Sequence, residues 1–127
     1  MPPDLEKYKE LRERMKNMKN NSLKFDFNDG VLRVAIVGEI NHHNAVFVRQ
    51  EIDEKIQELS SKNLVLDLAG VSFMDSSGLG LVKGRYQLMK DLGGTFAVAN
   101  PSAEHKRIFK LAGLNKLVKI VKNEELK

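Results

Sequence analysis

The residues best suited to chemistry in this 127-residue chain stand together at Asp75-Ser76-Ser77-Gly78, with Gly80 two residues further on. They follow a predicted apolar strand, Leu64–Leu68, and a predicted turn at Ala69-Gly70, and they precede a helical pattern. The first N–H groups of a helix have no partners within the helix, so a helix start can hold a phosphate or orient a reactive hydroxyl. The spacing therefore indicates either a phosphate-related site or a structural helix cap made by aspartate and serine.

A serine hydrolase is the enzymatic interpretation of the same residues. A nucleophile elbow has glycine two residues before and two residues after its serine, and neither Ser76 nor Ser77 has this pattern. The base would have to come from His42 or His43, in the loop after the second predicted strand. Neighbouring parallel strands release their loops at the same end of a sheet, so we expect this loop to lie beside Asp75. The missing glycines nevertheless make a hydrolase the least favoured reading.

A metal site built from histidines is also disfavoured. Adjacent histidines such as His42 and His43 are expected to point in different directions, and the pattern places His105 on a charged helix face. We expect His42 and His43 to pack in their loop or to contact a partner, and the sequence indicates no cofactor.

A phosphoryl acceptor fits the motif better. A serine at a helix start can carry a phosphate without unfolding the domain, because free N–H groups and the positive helix end stabilise the added charge. Asp75 can orient the hydroxyl, and Glu39 or Asn41 from the neighbouring loop can assist. From the residues alone, Ser76 and Ser77 are equally eligible.

The elements that must position this motif alternate between strands and helices. Asn28-Asp29-Gly30 predicts a hairpin, Asn44 and Ser102 are predicted helix N-caps, and Gly113 is a predicted helix end. The hydrophobic periodicity predicts strands at 23–27, 31–37, 64–68, 95–99 and 117–121, a polar loop at 38–43, and helices at 45–59, 77–91 and 103–112. This order, β-β-α-β-α-β-α-β, describes a single α/β domain with a mixed sheet covered by helices.

Three glycines within the second of these helices need a reason. Gly78, Gly80 and Gly84 each cost about 1 kcal/mol relative to alanine in an exposed helix. The sequence therefore predicts a close approach of this helix to the sheet, to a loop or to a partner.

Residues 1–22 are predicted to form an amphipathic helical extension, separate from a domain that spans residues 23–127. Their helix covers 4–19, and its apolar stripe consists of Tyr8, Leu11, Met15 and Met18. Two interpretations stay open: a native helix that docks on the domain or pairs with a copy of itself, or an extension foreign to the native chain, joined at Asn20-Asn21-Ser22.

Composition narrows the class of protein. The chain has no cysteine, which excludes disulfide and thiol chemistry, and no apolar run long enough for a membrane span or a signal peptide. Its net charge is +4, but residues 23–101 hold eight basic and ten acidic side chains, so no nucleic-acid surface is expected around the motif. We expect a protein that resides in the cytoplasm.

Two blocks of the sequence resemble the STAS domain of bacterial anti-sigma factor antagonists. They are Gly38-Glu39-Ile40-Asn41-His42-His43 and, about thirty residues later, Ser72-Phe73-Met74-Asp75-Ser76-Ser77-Gly78-Leu79-Gly80, followed by Gly84-Arg85-Tyr86. The resemblance extends over about residues 23–121, and its closest likeness is to the antagonists that act in sporulation.

The resemblance implies a switch protein without catalytic activity. Unphosphorylated antagonists of this family bind an anti-sigma factor that is also an ATP-dependent serine kinase, and thereby release the sigma factor. The kinase then phosphorylates the serine after the motif aspartate, here Ser76, and the complex is lost. By the same resemblance, the expected contacts to the kinase and its bound nucleotide, in a monomeric protein that a phosphatase resets, are Glu39, Asn41, His42, Asp75, Ser76, Ser77, Gly78 and Gly80. A STAS module of another phospho-signalling assembly is the alternative.

The sequence departs from the family pattern at two places. Asn41 stands where the family commonly has aspartate, so the charge of that position is missing. Relatives also carry a longer final helix, and we hypothesise that the apolar stripe of residues 4–19 covers the surface that this helix would cover.

Overall fold

The computed structural model describes Lys9 and residues 21–122 of the chain. Within residues 21–122, five strands and three α-helices alternate in the predicted order. They are β1 (Asn21–Asn28), β2 (Val31–Ile40), α1 (Ala45–Leu59), β3 (Asn63–Met74), α2 (Ser76–Asp91), β4 (Thr95–Ala99), α3 (Ala103–Leu111), a short 3-10 helix (Leu114–Lys116) and β5 (Lys119–Val121).

The sheet is mixed, and its strands lie in the order of the sequence, β1-β2-β3-β4-β5. β1 and β2 form an antiparallel hairpin, whereas β2, β3, β4 and β5 pair in parallel. Asp29 and Gly30 have φ angles of 52° and 77° at the hairpin turn, and both lie in the left-handed region that such a turn requires. The predicted α/β class, mixed sheet and hairpin are therefore confirmed.

One face of the sheet carries the main core. Alternate residues of β2, among them Leu32, Val34 and Ile36, are fully buried there, because successive side chains of a strand point to opposite faces. Buried residues of the helices join the same cluster: Val48 and Ile52 of α1, Leu81, Val82 and Met89 of α2, and Phe109 of α3. The helices thus cover a single face, and the starts of α1 and α2 lie at one end of it.

The prediction of a turn at Ala69-Gly70 is wrong, because β3 continues through both residues to Met74. Its pairing with β2 shifts register between Ala35 and Val37 and again between Gly38 and Glu39, as at β-bulges. A Cβ on Gly70 would lie 2.9 Å from Cγ2 of Val37, so this glycine permits close strand contact rather than a turn.

Three other boundaries also differ from the predictions. β2 extends to Ile40, so the first half of the predicted polar loop belongs to a strand. β1 begins at Asn21, within the predicted join. The last strand is shortened to Lys119–Val121 because a 3-10 helix precedes it. The predicted helix at 4–19 lies outside the described residues except for Lys9, which is helical.

No helix within residues 21–122 is long and apolar enough to cross a membrane.

Candidate functional site

Asp75 is the single residue between β3 and α2, and it forms the N-cap of that helix. Its backbone is extended, and its Oδ1 accepts a hydrogen bond from the backbone N–H of Ser77 at 2.8 Å. Helix α2 therefore begins at Ser76, one residue earlier than predicted, and the side chain of Asp75 caps it. This places Ser76, which is exposed, at the first position of the helix.

The loop after β2 lies against this helix start, as the parallel arrangement predicted. In the register of β2 and β3, Ile40 is opposite Met74, and the backbone N–H of Asp75 donates to the carbonyl of Ile40 at 3.2 Å. The backbone N–H of His42 donates to Oδ2 of Asp75 at 3.0 Å, and Nδ1 of His42 lies 3.5 Å from the same oxygen. One carboxylate therefore joins the loop to the start of α2.

These contacts keep Asp75 ionised. Desolvation acts to raise the pKa of its carboxyl, and hydrogen bonds from the backbone N–H groups of Ser77 and His42, together with their side chains, act to lower it. The hydrogen bonds outweigh the desolvation, so the pKa of Asp75 lies below the ordinary value of 3.8. At neutral pH the residue before Ser76 carries a full negative charge.

Asn41 shapes the loop in the way that an aspartate would. Its Oδ1 accepts from the backbone N–H groups of His43 at 2.9 Å and of Asn44 at 3.2 Å. Either oxygen of an aspartate could accept the same bonds, so Asn41 preserves the turn and removes only the charge.

Asn44 stands at the N-cap position of α1, but its side chain caps nothing, contrary to the prediction. It is buried instead, with Oδ1 accepting from the Asn41 N–H and Nδ2 donating to the carbonyl of Glu39. Asn21 of β1 donates to the same carbonyl. The backbone of Glu39 is thus tied to the loop and to β1, next to the residues that meet Asp75.

Two predictions about the histidines are wrong. The rings of His42 and His43 do not point apart: their centroids lie 3.9 Å from each other, with the planes tilted by 40°. His105 is 4% exposed rather than on a charged face, because it shares the buried stripe of α3 with Phe109, four residues later. The predicted caps of α3 are confirmed, since Oγ of Ser102 accepts from the His105 N–H and Gly113 follows the helix with a φ of 77°.

The sequence model of the STAS domain matches residues 22–126, which is most of the chain. The chain belongs to the STAS-domain family. The anti-sigma F factor antagonist of Paenibacillus polymyxa is 39% identical over 105 residues, which cover 83% of this chain and 90% of the relative. The solved structure of the anti-sigma factor antagonist SpoIIAA in its unphosphorylated form matches with a TM-score of 0.70 at 26% identity, over 83% of this chain and 92% of that one. The phosphorylated form of SpoIIAA, a Bacillus cell fate determinant, matches with a TM-score of 0.66 at 26% identity, over 83% of this chain and 96% of that one.

The glycines of this STAS domain differ in what surrounds them. A Cβ on Gly78 would lie 2.1 Å from Cγ of Met74, so the start of α2 approaches the end of β3 as closely as predicted. A Cβ on Gly80 or Gly84 would meet nothing within 4 Å. Close approach to the protein's own sheet therefore explains Gly78 alone, and the other two leave bare surface on α2.

A groove between the first turns of α1 and α2 is the feature that the sequence did not reveal. We call it the α1–α2 groove; its volume is about 170 Å³, and its lining residues are Ala45, Val46, Arg49, Ser77, Gly80 and Leu81. Helical periodicity places Arg49 outside the apolar stripe of α1, and periodicity alone cannot tell which neighbour such a face meets. Ser77, which lines the groove, directly follows Ser76 in the chain.

Proposed function

We propose that this STAS domain is an anti-sigma factor antagonist that is regulated by phosphorylation at Ser76. In its unphosphorylated form it binds an anti-sigma factor that is also an ATP-dependent serine kinase, and so releases a sigma factor. The observation that carries the proposal is the exposed position of Ser76 at the start of α2, next to a carboxylate fixed by two backbone N–H groups. The names of the relatives support the same role.

The binding face in this proposal combines the start of α2 with the loop after β2. Asp75, Ser76 and Ser77 form its centre, His42 and Asn41 border it, and the remaining members are Glu39, Gly78 and Gly80. Gly80 contributes by leaving α2 bare, whereas Gly78 contributes indirectly, because its lack of a side chain lets α2 begin close to β3. The partner can then approach the Ser76 hydroxyl without a bulky side chain in its way.

Phosphorylation would act on this face through charge. A phosphate adds about −1.5 to −2 at neutral pH, beside the charge that Asp75 already carries. The positive end of the α2 dipole favours such a group within the domain. A partner surface that is acidic or carries ATP phosphates is repelled by it. Both the unphosphorylated and the phosphorylated forms of SpoIIAA match this fold, which supports a change of charge rather than of fold.

The decisive experiment incubates the purified protein with candidate anti-sigma kinases and ATP and locates the modified residue by mass spectrometry with fragmentation. We expect one phosphate, on Ser76. Ser76→Ala should bind the kinase and remain unmodified, and Ser76→Asp should bind at least about ten-fold more weakly because of its added charge. Ser72→Ala, a change of another exposed serine, serves as the matched control and should behave as the wild type.

A phosphate on Ser77 or elsewhere, or no phosphate with any such kinase, would contradict the assignment of Ser76. Modification only by a kinase that controls no sigma factor would favour the alternative, a STAS module of another signalling assembly. Under both the proposed function and this alternative, the protein is a kinase substrate and binding partner rather than an enzyme. Purified protein should therefore hydrolyse no ester. We further propose that it works in the cytoplasm as a monomer and that a phosphatase restores the binding form.

A further inference from the structure

Arg49 occupies a distinctive place near the binding face. It is exposed on the first turns of α1 and lines the α1–α2 groove together with Ser77 and Gly80. Ser77 directly follows the proposed phosphoacceptor, so the Arg49 side chain borders the surface that a kinase must cover to reach Ser76. A cation at this border faces whatever part of the partner lies over the groove.

The charge of Arg49 is not neutralised by the domain. Among residues 21–122, no carboxylate lies within ion-pair distance of its guanidinium. Its identified charged neighbour is another cation, Arg85: burial lowers the pKa of Arg85, and repulsion by Arg49 lowers it further. Arg85 is 9% exposed and pairs with Asp53, but its Nε has no hydrogen-bond partner among the described residues. Of these two neighbouring guanidinium groups, Arg85 has a carboxylate partner and Arg49 has none within the described part of the chain, so this part of the surface carries an excess positive charge.

Such an arrangement favours an external anion. An arginine that already has its carboxylate gains little from a second one, whereas an unpaired guanidinium can bind a carboxylate or phosphate through two parallel N–H donors. The like charge of Arg85 strengthens the attraction for an anion and costs stability while the groove is empty. The groove also offers the apolar surface of Val46 and the bare backbone at Gly80, so a partner chain can come close enough for this contact.

We propose that Arg49 binds an anionic oxygen group of the anti-sigma kinase when the two proteins dock. This role rests on the proposed function, since it names a contact of the same binding face. The anion has two possible sources that share one chemistry: an acidic side chain of the kinase, or a phosphate of the nucleotide that the kinase holds. Arg49 thereby supplies the attraction that an additional negative charge on Ser76 would oppose.

The test compares the affinity of the kinase for the wild type, Arg49→Ala, Arg49→Lys and Arg107→Ala, by titration at constant ionic strength. Arg107 is an exposed arginine of α3 outside the groove, so its replacement is the matched control for lost positive charge. Arg49→Ala should weaken binding by about 5- to 30-fold, and Arg107→Ala by less than about two-fold. Arg49→Lys should weaken binding less than Arg49→Ala, because lysine keeps the positive charge but cannot bind through two parallel donors. The loss of affinity caused by Arg49→Ala should become smaller as salt is added.

Three forms of the kinase separate the two sources of the anion. If the anion is a side chain, Arg49→Ala should lose the same affinity for nucleotide-free, ADP-bound and ATP-bound kinase. The loss of affinity should appear only with nucleotide, and grow from ADP to ATP, if the anion is a phosphate. Equal affinity of Arg49→Ala and the wild type in all three forms would overturn this inference, while phosphorylation of wild-type Ser76 would leave the proposed function intact. Absence of wild-type binding would refute the proposed function and this contact with it.

Discussion

Replacement of Asp75 by alanine tests the link between the loop after β2 and the start of α2. In the wild type, one carboxylate oxygen accepts from the Ser77 N–H at 2.8 Å and the other from the His42 N–H at 3.0 Å. Alanine removes both acceptors at once. Ser102 is the natural comparison, because its hydroxyl caps α3 through one bond, from the His105 N–H at 3.0 Å, and joins no second element.

The expected decreases in the free energy of unfolding follow from these contacts. Removal of an N-cap costs about 1 kcal/mol, so Ser102→Ala should lower the free energy of unfolding by about that amount. Asp75→Ala should cost about 1 kcal/mol for the cap and a further ~1 kcal/mol for the bond to His42, hence about 2 kcal/mol in total. For a domain of this size that difference corresponds to a melting temperature roughly 4 °C lower than that of the Ser102 variant.

Urea unfolding of the two variants and the wild type measures these values, provided that the denaturant dependence of the free energy is unchanged. The pH dependence gives an independent check. Because the pKa of Asp75 is lowered in the folded state, its stabilisation is present above the unfolded pKa, near 3.8, and is lost as pH falls through the folded pKa. The gap between wild type and Asp75→Ala should therefore narrow in acid. An Asp75→Ala loss no larger than that of Ser102→Ala would refute the proposed link.

Two further predictions concern packing. Gly78→Ala should lower the free energy of unfolding by about 1 to 2 kcal/mol, because overpacking outweighs the gain in helix propensity. Gly84→Ala, where a Cβ meets nothing, should raise the free energy of unfolding by up to about 1 kcal/mol. Urea titration measures both values, and equal shifts for the two variants would contradict the close approach of Gly78 to β3. Deletion of residues 1–20 should lower the melting temperature if their apolar stripe covers the surface that the longer final helix of relatives would cover; an unchanged melting temperature would argue against this hypothesis.

The fold was largely predictable from the sequence because each element has a strong local signal. Each of these signals depends on residues only a few positions apart in the chain. The hairpin turn at Asp29-Gly30 and the Ser102 cap are two such signals, and the sequence located both correctly. The end of β3 could not be found in this way. Ala69-Gly70 has poor strand propensity; Gly70 pairs with Val37 only after a shift of register, and Ala69 lies within that shift. Strand pairing is a tertiary interaction that a local pattern does not contain.

The site was predictable to a smaller extent. The sequence predicted that the loop after β2 lies beside Asp75, because neighbouring parallel strands release their loops at the same end of a sheet. It could not predict that Asp75 joins this loop to the start of α2, since that depends on a hydrogen bond between residues 33 positions apart in the chain. His105 was recoverable from its spacing to Phe109, whereas the position of Arg49 beside α2 depends on how two helices pack.

The bonds of Asp75 also explain why stability and binding can be altered separately. Its two oxygens accept from Ser77 and His42, and neither bond uses the side chain of Ser76. A negative charge on Ser76 therefore needs to break neither bond, and at the first position of α2 it is favoured by the helix dipole although it lies beside an ionised carboxylate. We expect Ser76→Asp to keep a melting temperature close to that of the wild type while it loses affinity for the kinase. Asp75→Ala should instead lower the melting temperature. If Ser76→Asp instead melted as early as Asp75→Ala, its weak binding would reflect a damaged helix start, and regulation by charge alone would be untenable.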